Sequence, residues 1–573
     1  MTLSHEAALP PLPLPKLESL REWVPQLLAP LADEATRNAT AECLERFLLN
    51  EGPPLYQKLG QWKEAQGGNN SWLLPLWDRQ YLAWRGALPV DMNYFFFLDG
   101  PLAVSAGTLA FSLAAAIQQL FRQTLPPENT KTGPLSMRQF RSLIYTRLPL
   151  HGCDSLLPLP PDCALEASVV CKGQWFILPL TDASGTLFAP AALDAALDSI
   201  RACAAGKAPI PVGALTAAPR DRAAAIRDSL LASPCNQMSL RAIEQTAFTL
   251  CLDPPQKGRA AQCLNALCGL AENRWFDKSL QIICPEGGPV VMNFEHAGCD
   301  AAAWGYLLDN AAALAQTTPH ATATPVGRCL DWNISSESGA MLRHEARNHA
   351  ERAASLHIVP CELGEEFCKN AIKAMQCSPD AFVQLAIQCA QYSTFGTLHS
   401  CYEAFSMRAY AGGRTECVRP SSPQALALAR AVAEKAPQET LAPLLAATAQ
   451  EHGRRLAQCR NGQAVERLIF GLKNMHALFG AGTEAPAFFA DRGLGLIQRN
   501  MLSTSGVAMP SVSLFGFGPV EEEGLGAGYT MRDKALSFVF SAYANKGPEL
   551  ETFAETLVQS MRTLAAVLKK QGM

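Results

Sequence analysis

Runs of β-branched and other apolar residues that alternate with segments of helical periodicity constrain this chain more than any other feature of its sequence. Ala167–Leu180 (ASVVCKGQWFILPL), Leu280–Cys284 and Val290–Phe294 read as strands, and Ala191–Cys203 and Leu240–Leu252 as helices among them. Strands separated by helices are the pattern of an α/β fold. At 573 residues the chain exceeds what one hydrophobic core organises, so more than one compact unit is expected. Ahead of the first strand, Pro10–Pro15 alternates Pro with Leu, and Leu17–Leu48 carries apolar residues at helical spacing until Gly52-Pro53-Pro54. This is an extended lead-in followed by helices. The polar stretch Ser335–His349 is the candidate crossover between halves, and helical patterning dominates from there to about Arg499. A β-rich section follows at Ser511–Phe517 and Ala535–Ala544, and Leu550–Lys570 closes the chain as an amphipathic helix.

Composition narrows the function classes. Hydrophobic residues make up 48% and charged residues 17%, interspersed along most of the chain, which excludes a largely disordered protein. The formal net charge is -4 and there is no Lys/Arg block, so neither nucleic acid nor an anionic membrane is an expected partner. The most apolar stretch, Pro101–Ile117, is shorter than the ~20 residues of a membrane span and reads as a core helix. Met1–Pro15 lacks the basic cluster of a leader, and the last three residues are not a peroxisomal tripeptide, so a cytoplasmic location is expected. Nineteen cysteines, from Cys43 to Cys459, include no C-x-x-C pair and read as buried thiols; no metal site is expected.

Three constellations could carry chemistry. In Asn293-Phe294-Glu295-His296-Ala297-Gly298-Cys299-Asp300 a histidine follows a strand, where a group titrating near neutrality can take a proton from a hydroxyl. Asp300, four residues on, either orients a cationic partner or caps the next helix. Lys369 and Lys373 would share one helical face, either as a claw for a phosphate or as a solvated basic surface. Ser378-Pro379-Asp380 after them reads as a helix start. Leu502-Ser503-Thr504-Ser505 sets hydroxyls in series that could donate to an oxyanion or a carboxylate, or be plain turn polarity. No G-x-S-x-G, P-loop or G-x-G-x-x-G motif occurs, so an acyl-serine hydrolase and a nucleotide-binding fold have no support.

Taken in order, LPPLPLPKL near Leu9, YLAWRGALPVDMN ending at Asn93, PLSMRQF at Pro134, NRWFDKSLQII at Asn273, NFEHAGCD, KNAIKAMQCSPDAFVQLAIQCAQY, CYEAFSMRAYAGGRTE, GQAVERLIFGLK and LSTSGVAMPSVSLFGFGP resemble the choline/carnitine acyltransferase family. The resemblance implies two related CoA-dependent acyltransferase domains of the chloramphenicol-acetyltransferase-like kind, with a tunnel at their interface. Its divisions would be 1–90 (helices packing on the C-terminal domain), 91–338 (the domain with the histidine) and 339–573 (the domain with the coenzyme A and carnitine sites). It implies that His296 is the general base, without an acyl-enzyme, and that Ser505 donates to the oxyanion. Lys369 and Lys373 would grip the 3′-phosphate of coenzyme A, with Ser378 and Asp380 along its path. Tyr402, Thr415, Arg467 and Ser503 would surround carnitine, Thr504 would line the same pocket, and Asp300 would hold Arg467. Two positions depart from the family pattern around carnitine and coenzyme A, Ala404 for a hydroxyl residue and Gly506 for a glutamine, and Ala301 replaces a glycine. Phe515, ten residues past Ser505, would plug the acyl channel and favour acetyl and propionyl groups. Acyl-CoA is then a co-substrate, no cofactor is held permanently, and the chain acts as a monomer. A choline acetyltransferase and a weakened metabolite-binding relative are the alternatives.

Overall fold

The computed structural model describes residues 1–67, 70–204, 210–315 and 317–571. Gly572 and Met573, which belong to the C-terminal tripeptide considered above, lie outside the described residues. Two mixed sheets organise the chain. In chain order their strands are β1 (Asn93–Leu98), β2 (Glu166–Cys171), β3 (Gln174–Pro179), β4 (Phe248–Asp253), β5 (Leu280–Pro285), β6 (Val291–Glu295) and β7 (Arg328–Cys329), then β8 (Leu356–Gly364), β9 (Cys401–Ser406), β10 (Thr415–Val418), β11 (Leu502–Val507), β12 (Val512–Phe517), β13 (Leu525–Met531) and β14 (Leu536–Tyr543).

The first sheet has the order β7-β3-β2-β4-β5-β6-β1-β12 and the second β8-β14-β13-β11-β9-β10. Strand β12 follows β11 in sequence but hydrogen-bonds antiparallel to β1 in the other sheet, with Phe515 opposite Phe96. Part of the segment 339–573 thus completes the sheet of the N-terminal half. The helices Ala106–Phe121 and Ala301–Leu314 cover one face of the first sheet, in a core with Phe96, Phe294, Trp304 and Phe515. Helices Pro379–Phe395 and Gly547–Gln571 cover the second sheet, around Phe382, Leu502, Phe538 and Phe553. The N-terminal helices Ser19–Leu28, Glu34–Leu49 and Gly52–Ala65 pack through Val24, Phe47 and Leu59 against Leu468, Ile469 and Leu472 of the helix Glu466–Phe479.

The strand run Ala167–Leu180 resolves into the β2–β3 hairpin. Lys172 and Gly173 at its tip have φ of 50° and 75°, and two successive residues with positive φ form the turn whose twist matches a hairpin. Pro101–Ile117 is a core helix from Ala106, with Ser105 accepting from the Thr108 amide at its start. One expectation needs correcting, and two gain detail. Leu240–Leu252 is the end of the helix Pro234–Glu244 followed by β4, because Phe248-Thr249-Leu250 is held between β2 and β5 by parallel pairing that local periodicity does not register. Ser335–His349 lies in the helix Ser336–Ala354, capped by Ser335, so a polar helix makes the crossover. The region before Arg499 also contains β8, β9 and β10. Strand β8 is an edge strand with many half-exposed positions, so its sequence lacks a continuous apolar signal. No helix of the described residues is long and apolar enough to cross a membrane. The nineteen cysteines are free thiols, most of them buried.

Where β12 crosses, the two sheets touch closely. A Cβ on Gly516 would come within 2.5 Å of the Phe95 ring and 2.9 Å of Val539 from β14. Gly516→Val is expected to lower unfolding free energy by about 1–3 kcal/mol through overpacking, read as a lower urea midpoint at unchanged m-value. An unchanged midpoint would mean that the sheets are not in contact there.

Candidate active site

Strand β6 ends at Glu295, and the chain turns through His296 to Asp300 before the helix Ala301–Leu314 begins. Glu295 is buried and anchors this turn. Its carboxylate accepts from Arg147 at 2.9 Å, from the Ala297 amide at 2.9 Å and from the Tyr145 hydroxyl. Arg147 in turn meets Asp154 at 2.7 Å, which also binds Arg85 and Arg220. Burial works to raise Asp154, but Arg220, Arg147 and Arg85 overcome it and hold its carboxyl below the ordinary range.

His296 is fixed on this support and keeps a third of its side chain exposed, 32%. Its Nδ1 lies 3.0 Å from the Cys299 carbonyl. A carbonyl only accepts, so the ring proton sits on Nδ1 and the lone pair is on Nε2. The ring lies between Tyr81 (centroids 5.4 Å apart) and Tyr94 (5.1 Å). The Asp300 carboxylate stands 3.9 Å from Nδ1.

Asp300 does not hold Arg467, contrary to expectation. Its cationic partner is Arg414, at 3.0 Å, on the turn that leads into β10. Arg414 also donates to the carbonyls of His296 (3.3 Å) and Ala297 (3.0 Å) and lies over the Tyr81 ring at 5.7 Å. Gln139 completes the enclosure, donating to Asp300 at 2.9 Å and accepting from the Asp300 amide at 2.8 Å. Burial works to raise Asp300, but Arg414 and then His296 hold it below the usual carboxylate range, so it stays ionised. Asp300 occupies the N-cap position of the next helix, yet its side chain makes no capping bond.

Arg467 begins the helix Glu466–Phe479 and is bound elsewhere. It donates to the Thr415 carbonyl (2.8 Å) and the Tyr402 hydroxyl (3.0 Å), approaches the Thr415 hydroxyl at 3.5 Å, and lies 4.2 Å over the Trp77 ring. Trp77 and Tyr81 share the helix Leu74–Leu82, with rings 5.9 Å apart, so one helix touches both Arg467 and His296. The nearest carboxyl, Glu416, is 3.8 Å away and is pushed up to about 7 by burial against the pull of Arg467.

Alternation along β11 separates the serial hydroxyls. Thr504 is fully buried, donates to the Tyr402 carbonyl at 2.8 Å and accepts from Gln384 at 3.0 Å, toward the helix Pro379–Phe395. It therefore does not line a pocket with Ser503 and Ser505, which point to the opposite face with Tyr402 of the paired strand β9. Gly506 faces the Thr504 side, and the Tyr529 ring occupies the space its side chain would take: a Cβ there would meet that ring at 2.4 Å. Tyr529 sends its hydroxyl to Asp380 at 3.1 Å. Lys369 and Lys373 share the helix Lys369–Ala374, Lys369 pairing with Asp533 at 3.0 Å; Ser378 caps the next helix by accepting from the Ala381 amide. Phe515 is buried among Tyr94, Phe96 and Phe517 at 5.6–6.1 Å, one ring removed from His296. Tyr81, Gln139 and Arg414 were assigned no role from the sequence. Their only signal was position, each inside a segment quoted above.

Against known proteins, the family model "Choline/Carnitine o-acyltransferase" matches residues 12–559. A carnitine O-palmitoyltransferase 2 (mitochondrial) of Xenopus tropicalis is 27% identical, over 99% of this chain and 93% of that protein. A carnitine O-acetyltransferase of Rattus norvegicus is also 27% identical, over 98% and 94%.

The close approach at Gly506 yields a stability test. Gly506→Ala is expected to destabilise by about 1–3 kcal/mol in the wild-type background and by much less in Tyr529→Ala, where the ring is gone. Equal losses in both backgrounds would show that Tyr529 does not fill the Gly506 position.

Proposed function

The chain belongs to the choline/carnitine O-acyltransferase family, and we propose that it moves a short acyl group, acetyl or propionyl, reversibly between coenzyme A and the hydroxyl of carnitine. The observation that carries the choice of acceptor is Arg467. Its hydrogen bonds go to neutral groups, a carbonyl and two hydroxyls, and its nearest carboxyl, Glu416, is raised to about 7. A buried guanidinium left with this much positive charge calls for an anionic ligand, and its planar fork suits a carboxylate. Carnitine has one and choline does not. Tyr402, Thr415 and Ser503 complete that end of the proposed pocket.

In the transfer step His296 Nε2 takes the acceptor hydroxyl proton as that oxygen attacks the thioester carbonyl. The tetrahedral oxyanion accepts a hydrogen bond from Ser505, the carbon–sulfur bond breaks, and the imidazolium returns its proton to the departing thiolate. The Nδ1 bond to Cys299 supports this role because it leaves Nε2 unprotonated, and Asp300 offsets the transient ring charge. Lys369 and Lys373 take the 3′-phosphate of coenzyme A, with Ser378 and Asp380 along its path. The relatives named above act, by their names, on palmitoyl and on acetyl groups at equal identity. The proposed preference for short chains therefore rests on Phe515, whose ring packs in the core beside Tyr94, where it would stand in the way of an extended tail.

A thiol-release assay with acetyl-CoA tests the reading: rapid release with L-carnitine supports it, and release with choline alone, or with neither, overturns it. His296→Ala should lower turnover by about 10²–10⁴-fold while coenzyme A still binds; retained turnover would remove His296 from the mechanism. Phe515→Gly, at a stability cost of about 3–5 kcal/mol, should extend activity to octanoyl-CoA. A folded variant without that activity would show that Phe515 is not the plug.

A further inference from the structure

Three side chains with metal-binding atoms converge beside the second sheet, away from His296. Asp380 stands in the first turn of the helix Pro379–Phe395, Glu403 on β9, and His452 in the helix Gln438–Arg460. One ligand atom from each lies within 4.8 Å of the other two, and no other group of histidine, cysteine and acidic residues among the described residues meets this spacing. His452 Nε2 is 3.4 Å from Asp380 Oδ2 and 3.8 Å from Glu403 Oε2. A cation with bonds of about 2.1 Å has neighbouring ligands about 3.0–3.4 Å apart, so closure by a few tenths of an ångström would seat one.

A cluster of acids alone would mean little, because carboxylates gather on many surfaces. Here the histidine is 3% and Glu403 4% exposed, and Glu403 Oε2 has no hydrogen-bond partner although it is aimed at the imidazole nitrogen. A buried carboxyl oxygen without a donor is the kind of vacancy that a cation satisfies. His452 Nε2 meets Asp380 Oδ2 at 3.4 Å while Nδ1 has no partner, so a cation that takes Nε2 can leave the ring proton on Nδ1. The second oxygen of Asp380 accepts from Tyr529 at 3.1 Å, and Gln384 donates to Tyr529 at 3.4 Å, which orients the carboxylate as outer partners orient metal ligands. All three ligands stand on helices or a strand and not on loops.

We propose that Asp380, Glu403 and His452 form a site for a divalent cation of the Mn²⁺ or Zn²⁺ class, bound through one imidazole nitrogen and two carboxylate oxygens. Because Asp380 also stands on the proposed path of coenzyme A, cation and coenzyme A compete, a consequence that rests on the function proposed above.

Mn²⁺ is the probe, because the many thiols of this chain discriminate against it. Titrated into the full chain free of coenzyme A, it should bind at one equivalent by electron paramagnetic resonance. Glu403→Gln and His452→Asn should each weaken binding by at least about tenfold, and Tyr529→Phe by about tenfold through the outer partner, with melting temperatures measured without metal confirming folding. Absence of binding, or binding that survives both Glu403→Gln and His452→Asn, overturns the site. Coenzyme A should displace the Mn²⁺. Retention of Mn²⁺ while calorimetry shows coenzyme A bound would overturn the competition, whereas failure of coenzyme A to bind at all would count against the proposed function and leave the cation site standing.

Discussion

The ion pair between Asp300 and Arg414 is the interaction on which the rest of the site depends. It joins the turn after β6 to the turn before β10, and therefore joins a sheet from the N-terminal half to a sheet from the C-terminal half. Arg414 also donates to the carbonyls of His296 and Ala297, so a residue from one half fixes the backbone that carries His296 in the other. Removing one member of a buried pair typically costs about 3–5 kcal/mol, because the surviving charge is stranded. That penalty makes the relative position of the two sheets a precondition of the ionised, oriented Asp300 beside the imidazole. The arrangement is self-consistent, since Arg414 keeps Asp300 charged and the charge keeps Arg414 in place.

The same division of labour recurs around the site. The helix Leu74–Leu82 presents Tyr81 to His296 and Trp77 to Arg467, while its own core partners include Leu468 and Leu472 of the helix that carries Arg467. The helix Leu74–Leu82 acts as a strap that sets the distance between His296 and Arg467. On the far side, β11 sorts its side chains by pleat alone, Thr504 into the core of the second sheet and Ser503 and Ser505 to the other face. A strand can present two hydroxyls to a cleft and hide the one between them without any special sequence, because alternation is built into extended backbone.

Much of this was legible in the sequence, and what was not has physical causes. Hairpin β2–β3, the helix after Ser105, the start at Ser378 and the closing helix follow from turn residues, caps and apolar spacing, all local signals. Strand β4 was hidden because Phe248–Asp253 continues the apolar pattern of the preceding helix, and only pairing with two distant strands decides its conformation. Among candidate site residues, His296 and Arg467 stand out by chemistry and by family pattern. The partner of Asp300 could not be read off, since Arg414 and Arg467 are both arginines at comparable separation and only the folded chain tells them apart. Asp380 was singled out only as a helix start and for coenzyme A, and its grouping with Glu403 and His452 left no trace for a related reason: their spacing resembles no metal-binding motif, and attention to cysteines, the obvious ligands in number, pointed away from them.

Strand β12 has a mechanical meaning. The residues 508–511 are all that separate β11 in one sheet from β12 in the other, and β12 is bonded along its length to β1. A clamshell motion that parted the two sheets would have to strip that strand from its partner or stretch a link with no slack. The halves therefore behave as a single riveted frame. Side-chain movement, not domain opening, is the adjustment this frame leaves around His296.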